Sequence, residues 1–473
     1  MTASLTNNSG VPSSQSLYDT TRVQNAINAC TGPNKAVELA LGSEGANAFL
    51  LTPITLKSGV ILLIDSGVTV FASLDPSVYN DASPGTCGTI TTTDKGCNPL
   101  ITIPYDATNT GIMGAGTIDG QGGQTLLNVT PPEGWAANCP NQTNYSWWCL
   151  TDSAKAGTYE NDPILVRMSN YSGFINAYNY ASGNGNNLII YETTFQNAPN
   201  GHLSLGNCLS CTIYGVTINT PMKAHETDGI DLGNAEDVTV YGSTISDGDD
   251  NIAMGGTSYP GEYISIYKDH IFSGHGISIG SETQGGVHDI DVNTVSFSGS
   301  YDGTGDYTDE DTAINIKSAA DRGGIVQNVT YSNICMQDVA RPIQITPFYE
   351  GITSGSLPPQ FGPNILIQNV NEISTTPSAT LVVIQGYSAT YPLSLQLDNV
   401  ILYDITEASL STKSYLPEYA SIAIGPGPVT DLLADTLTDG KNTDITITSD
   451  TNNGEAHYAC PGTFGFGTLP ALP

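Results

Sequence analysis

A short strand phrase recurs along most of this chain, and its spacing restricts the possible folds more than any other feature. "LIIYETTF", "TIYGVTI", "VTVYGSTI" and "ISIYKDHI" end their apolar runs at Tyr191, Tyr214, Tyr241 and Tyr267. "IDVNTVSF", "VTYSNICM", "ILIQNVNEI" and "LSLQLDNVIL" put Asn293, Ser332, Gln368 and Gln396 in that place. The successive gaps are 23, 27, 26, 26, 39, 36 and 28 residues. Each phrase alternates apolar and polar residues, the period of a strand with one buried face, and Gly, Asn, Asp or Pro bracket it. A strand phrase returning about every 25 residues with no helical pattern between copies predicts stacked coils, an all-β parallel β-helix. A propeller would repeat near 40 residues, and tandem sandwiches would need hairpin turns. The two long gaps predict loops inserted into regular coils.

The ends of a solenoid need covers, because a terminal coil leaves an open edge and an apolar cross-section. "YDTTRVQNAINAC" supplies a short N-terminal capping helix, with Asp19 or Thr20 as N-cap and Val23 and Ile27 on one face. The expected organisation is a flexible segment over residues 1–16 and a single β-helical catalytic domain over 17–473, about ten coils long.

Lys and Arg total 13 against 46 Asp and Glu, a net charge of −33, which opposes binding to nucleic acid or to an anionic membrane surface. No segment approaches the roughly 18 apolar residues of a membrane span, and the N-terminus has neither a basic region nor an apolar core. The chain reads as soluble, with any signal peptide already removed. Cys87 with Cys97 and Cys139 with Cys149 fall in loops that a short disulfide could close, and the usage favours an oxidising, secreted setting. "CLSC" (208–211) fits a structural bridge, two buried thiols or, lacking a second Cys/His cluster, less well a zinc or redox pair.

The repeat also serves as a coordinate system. Asp249 lies eight residues past Tyr241 and His275 eight past Tyr267, which predicts the same angular position on coils about 4.8 Å apart. Asp228 lies 21 residues before Asp249, and Lys317 follows His275 once the acidic insertion "SYDGTGDYTDED" is looped out. "DGDD" by itself could be a mere corner, since Asp and Gly make good turns. A ladder of Asp228, Asp249, Asp250, His275 and Lys317 on one face is harder to explain that way. Crowded carboxylates with separated pKa values are a recognised source of a general acid and a general base.

"TDGIDL", "GDDNIA", "GHGISIGSE", "NIKS" followed by "RGG", and "RPIQITPFY", in this order and spacing, resemble the polygalacturonases of glycoside hydrolase family 28. Each motif is weak alone; the resemblance rests on the set and extends to "LKSGVILLIDSGVTVFAS", "GAGTIDGQG" and "NAPNGHLSLGNC". It implies a right-handed parallel β-helix and inverting hydrolysis of α-1,4-galacturonosyl linkages in pectin. It also implies a monomer needing no cofactor or metal. Carried over, Asp249 resembles the general acid, Asp228 and Asp250 the groups that activate water, and His275 the residue that tunes the acid. Lys317 resembles a cation for a substrate carboxylate and Tyr349 an aromatic bordering the sugar, and His202 falls among the substrate-binding positions.

Two positions depart from the family. Asn315 stands where the family places an Arg two residues before the Lys, and Glu226 stands where it places an Asn. Losing a bidentate fork predicts a weaker carboxylate subsite, recruitment of Arg322 or Arg341, or a less charged pectin region such as rhamnogalacturonan, xylogalacturonan or methylated pectin. Two other functions remain in play. A β-helical polysaccharide lyase would leave unsaturated sugar ends, and a non-catalytic binding solenoid would bind without cleaving. Two local features stay open: Asp302, Asp306, Asp309 and Asp311 could hold calcium or form a solvated loop, and Trp147 and Trp148 could stack on sugars or pin their loop.

Overall fold

The computed structural model describes residues 1–30, 32, 35–81, 85–93, 96–169, 185–299, 312–373, 382–402, 418–430, 445–451 and 456–460. The acidic insertion and its four candidate calcium ligands lie outside these residues. The chain divides into two compact units. One comprises Met1–Asp231, Ser246–Asp249 and Leu469–Pro473, the other Leu232–Ile245 and Asp250–Thr468. Contacts in a solenoid run only between neighbouring coils, so it lacks the shared core that would hold so long a chain in one contact cluster.

The first unit is wound from three parallel ladders. Lys35–Leu39, Val60–Ile64, Gly111–Met113, Leu188–Tyr191 and Leu209–Tyr214 pair in that order. Ala48–Leu51, Thr69–Ala72, Thr117–Asp119, Thr194–Gln196 and Thr217–Asn219 form the second. The third runs Ile54–Thr55, Ile101–Pro104, Val166–Ser169, Leu203–Ser204 and Ile230–Gly233, joined last through Ile230 and Asp231. Alternation puts Val166, Met168, Leu203 and Ile230 inside and leaves Arg167 and Ser204 on the outer face.

The second unit repeats the plan. Glu236–Tyr241, Gly261–Tyr267, Val287–Ser298, Ile325–Gln337, Ile365–Ile373, Leu393–Ile401, Ala420–Ile424 and Ile445–Asp450 form one ladder. Ile252–Gly255, Ile277–Ile279, Thr312–Lys317, Arg341–Thr346 and Val382–Ile384 form another. Both units are therefore parallel β-helical, as the periodicity predicts.

The pairings show what the recurring phrase does. Tyr267, Asn293, Ser332 and Gln368 stack in register, and each is followed by a residue at positive φ: Lys268, Thr294, Asn333 and Asn369. A left-handed residue at this corner of each coil turns the chain from one face to the next, a conformation Asn tolerates better than most side chains. The corners also bond to one another: Asn333 Nδ2 donates to Asn293 Oδ1 at 3.1 Å and Asn369 Nδ2 to Asn333 Oδ1 at 3.0 Å. In the last phrase the stacked residue is Asp398, not Gln396, and Asn399 makes the turn. Both candidates face outward, and alternation with period two cannot detect a slip of two residues.

The capping helix spans Thr20–Ala29 with Val23 and Ile27 fully buried. Asp19 precedes it, but its carboxylate does not cap the helix; it accepts from Ser4 Oγ at 2.8 Å, Arg22 Nε at 2.6 Å and the Leu50 amide at 3.2 Å. Residues 1–16, expected as a flexible lead, make contacts with the first coil. Thr2 and Leu5 bridge to Ala40 and Ala48, and Leu5 is buried against Ala48, Leu50 and Phe71. Unpaired amide and carbonyl groups at the edge of the first coil take up this segment.

Cys87–Cys97 and Cys139–Cys149 are bonded as expected; Cys208–Cys211 is a disulfide rather than a metal half-site, Cys335 bonds Cys460, and Cys30 is free. Trp147 and Trp148 pin their loop: Trp148 Nε1 donates to the Ala198 carbonyl at 2.8 Å, and Trp147 packs edge-on against Tyr79. A Cβ on Gly123 would come within 2.4 Å of the Trp148 ring, so the facing "GQGG" backbone must stay bare.

Two buried turn carboxyls make stability depend on pH. Burial raises Asp119 to about 6, opposed by hydrogen bonds from Gln196, Gln121 and Asn197, and raises Asp269 to about 7, opposed by hydrogen bonds from Ser243. Each folded-state pKa lies above the 3.8 of an unperturbed Asp, so between these values the native chain holds a proton that the unfolded chain has released. Stability falls as pH rises through that window, by up to about 1.4 kcal/mol per pH unit for each group. The melting temperature is expected to drop by roughly 5 °C between pH 5 and pH 8, and Asp269→Asn should flatten part of that slope. A calorimetric series on both proteins checks this, and a melting temperature that rises toward pH 8 would contradict it.

Candidate active site

The first unit carries Asp228 and Asp249 on neighbouring turns. Thr227, fully buried, donates through its hydroxyl to the Ala224 carbonyl at 2.6 Å and accepts from the Gly248 amide at 3.0 Å. A single side chain thus ties the turn before Asp249 to the turn that carries Asp228. A Cβ on Gly248 would stand 2.0 Å from the Ala224 carbonyl oxygen, so only glycine allows this approach. The Asp249 amide donates to Asp247 Oδ1 at 3.3 Å, and Asp247 is buried while Asp249 is half-exposed. The crowded "DGDD" therefore holds two buried acids, Asp247 and Asp250, and an accessible one, Asp249.

His202, expected among the substrate-binding positions, is fully buried. Its amide donates to the Asp228 carbonyl at 2.8 Å, and Nδ1 lies 2.9 Å from the same oxygen. A carbonyl can only accept, so Nδ1 carries the proton, and Nε2 accepts from Thr220 Oγ1 at 2.8 Å. Burial pushes the imidazole down to about 4, which keeps it neutral above that pH. Its role is to fix the Asp228 backbone, which sequence could not reveal because a buried His and a groove His look alike.

The second unit brings Asp250, His275, Asn315, Lys317 and Tyr349 together. Lys317 Nζ lies 2.8 Å from Asp250 Oδ2 and 2.9 Å from Oδ1, with the ammonium 4.9 Å from the centre of the Tyr349 ring. Ser278 Oγ donates to Asp250 Oδ1 at 2.7 Å, and His275 Nδ1 lies 3.9 Å from that oxygen. Lys317 is only 4% exposed. The expected cation for a substrate carboxylate is thus tied to a protein carboxylate.

Asn315 was expected to touch substrate but is 2% exposed. Its amide donates to the His275 carbonyl at 3.3 Å and to Ser278 Oγ at 2.9 Å, and its oxygen accepts from Gln344 at 3.1 Å. Where the resemblance leads one to expect an Arg fork, this chain has a short amide chain bracing the turn of His275. Arg322, the expected alternative, has acidic neighbours of its own. It is held by Asp321 at 3.1 Å, Glu350 at 3.1 Å and Glu282 at 3.7 Å, and the Asp321 hydrogen bond raises its pKa further.

Register corrects one inference. The strands before the turn pair Thr244 with His270, an offset of 26 residues, while those after it pair Ile252 with Ile277, an offset of 25. One residue is lost within the turn, so from the following strand His275 aligns with Asp250 rather than Asp249. Ser278, three residues past His275, was missed by the motif reading; counting along the strand from His275 would have flagged it.

Comparison with known proteins follows the same lines. The profile described as Glycosyl hydrolases family 28 matches residues 35–418. The chain is 33% identical over 469 residues to a polygalacturonase of Ralstonia solanacearum, covering 91% of this chain and 82% of the relative. It is 35% identical over 388 residues to an endo-polygalacturonase of Pectobacterium carotovorum subsp. carotovorum, covering 81% and 84%. Among solved structures, the polygalacturonase from Erwinia carotovora ssp. carotovora superposes with a TM-score of 0.64 at 29% identity, covering 93% of this chain and 94% of that one.

Proposed function

The chain belongs to glycosyl hydrolases family 28, and from that membership we propose that it hydrolyses α-1,4-galacturonosyl linkages of polygalacturonan with inversion. The observation that carries the reading is its likeness to polygalacturonases over most of both chains, combined with accessible Asp249 on a turn bound to that of Asp228. Asp249 donates a proton to the leaving glycosidic oxygen. Asp228 and Asp250 polarise the attacking water, which reaches the anomeric carbon from the opposite face. The Lys317 ion pair and the Ser278 hydroxyl hold Asp250 in orientation. His275 acts on the proton inventory beside Asp250 and not as a nucleophile.

Four disulfides among the described residues suit an oxidising compartment, and no described helix is long and apolar enough to cross a membrane. Secretion is the setting we infer from them. A second reading, a preference for pectin with fewer free carboxylates, is favoured by one observation: Asn315 and Arg322 are both fully engaged by the protein. Chromatography of products from polygalacturonate, methylated pectin and rhamnogalacturonan separates the two. Reducing oligogalacturonates without ultraviolet-absorbing ends are expected from polygalacturonate. Unsaturated ends from any of the three would mean a lyase, and no cleavage of any would remove the reading.

A further inference from the structure

Arg167 lies on the outer face of the strand Val166–Ser169, in the first-unit sheet that leads to Asp228. Register fixes its place: Thr102, Arg167, Ser204 and Asp231 are successive partners on that face, and Asp231 is three residues past Asp228. Arg167 is therefore two coils from the coil of Asp228, roughly 10 Å at the usual strand spacing. Its neighbours Val166 and Met168 are buried, while Arg167 itself is half-buried with its outer side open.

Among the described residues, Arg167 is the one basic side chain in the strands of this first-unit sheet. The chain has 13 Lys and Arg against 46 acids, so cations that could meet a polyanion are few. Arg22 is paired with Asp19, Lys317 with Asp250, and Arg322 with three acids. No carboxylate or other acceptor among the described residues engages the Arg167 guanidinium, and none engages the Ser204 hydroxyl on the next coil. A planar fork and a hydroxyl one rung apart match the two oxygens of a carboxylate. Asp162, five residues earlier in the chain, directs its carboxylate to Thr151 and Asn200.

We propose that Arg167, assisted by Ser204, binds the carboxylate of a galacturonate residue two coils from the Asp228 coil, forming a distal subsite that rewards longer substrates. The proposal rests on the function proposed above. A 1→4-linked pyranose chain lying along the sheet advances by about one coil per sugar, so successive carboxylates come past successive rungs. Most of the enzyme repels a polyanion, which makes a single unopposed guanidinium on that path a determinant of where the chain sits.

The test compares wild type, Arg167→Gln and Arg167→Lys on oligogalacturonates from three to eight sugars. Each product series is also scored for which bond is cut. In wild type, kcat/KM should climb with chain length; in Arg167→Gln that climb should shrink by roughly tenfold, mainly through KM, and the preferred cleavage position should shift. Arg167→Lys should recover part of the gain, since it keeps the charge but not the fork. Methyl-esterified oligomers, which lack the carboxylate, should show no difference between wild type and Arg167→Gln. An unchanged length dependence and cleavage pattern in a folded Arg167→Gln would overturn the subsite while leaving the hydrolase reading intact. If wild type cleaves none of the oligomers, the hydrolase reading itself fails. Equal loss at every length, with an altered melting temperature, would assign Arg167 a structural role and overturn the subsite too.

Discussion

Asp249→Asn is expected to lower turnover of polygalacturonate by about 10²–10⁴-fold, the usual contribution of a positioned proton donor. The amide has nearly the same shape and keeps the turn, whose geometry depends on buried Asp247, Gly248 and Thr227 rather than on the Asp249 side chain. What it removes is the proton. The leaving alkoxide would then depart unprotonated, so the loss should fall on kcat, with KM little altered. The measurement is steady-state release of reducing ends at several pH values, with the melting temperature followed in parallel. Full activity in a well-folded Asp249→Asn would remove Asp249 from the chemistry. The same substitution tells an enzyme from a binding solenoid, since only an enzyme has a turnover for it to abolish, while binding of the glycan would persist in either case.

Lys317→Met is expected to cost about 3–5 kcal/mol of stability as well as activity. The ammonium stands 2.8 and 2.9 Å from the two Asp250 oxygens, and both side chains are nearly excluded from solvent. Removing the cation leaves a buried carboxylate that has lost its counter-charge, with the Ser278 hydroxyl and the more distant His275 among its remaining neighbours. The Asp250→Leu, Lys317→Met double variant should recover much of that stability and none of the activity, because it removes the stranded charge together with the group that polarises water. Denaturant titration of the wild type, the single variants and the double variant measures the coupling. A single variant as stable as wild type would mean that Asp250 and Lys317 are not paired in solution.

Much of the fold was legible because a left-handed corner recurs after the outward-facing residue of the phrase in each coil, and Asn or Gly fills it in most copies. The period survived insertions of variable length. Its fine register did not, because a strand with one buried face repeats every two residues, so Gln396 and Asp398 satisfied the pattern equally. Near the site the failure was of another kind. A turn that loses one residue between coils moved His275 into line with Asp250, and no periodicity inside a six-residue turn could have shown it.

Burial was the other hidden variable. His202, Asn315 and Lys317 were placed at the groove by the resemblance, and all three make hydrogen bonds or ion pairs with the protein. Arg167, by contrast, lay in an ordinary strand phrase with no motif around it. Its relation to Asp231 appears only when the intervening coils are laid side by side. Composition bore on both: with so few cations in the chain, whether each is committed to an internal partner decides what remains for a polyanionic ligand.

The central claim is that a proton donor and an activated water act on opposite sides of an α-linked galacturonoside. Proton NMR of the reducing ends formed in the first minutes of polygalacturonate cleavage, before mutarotation, reads this directly. The β-anomer should appear first and relax toward the equilibrium mixture. Initial release of the α-anomer would require a covalent glycosyl-enzyme intermediate and a nucleophile that this account does not contain.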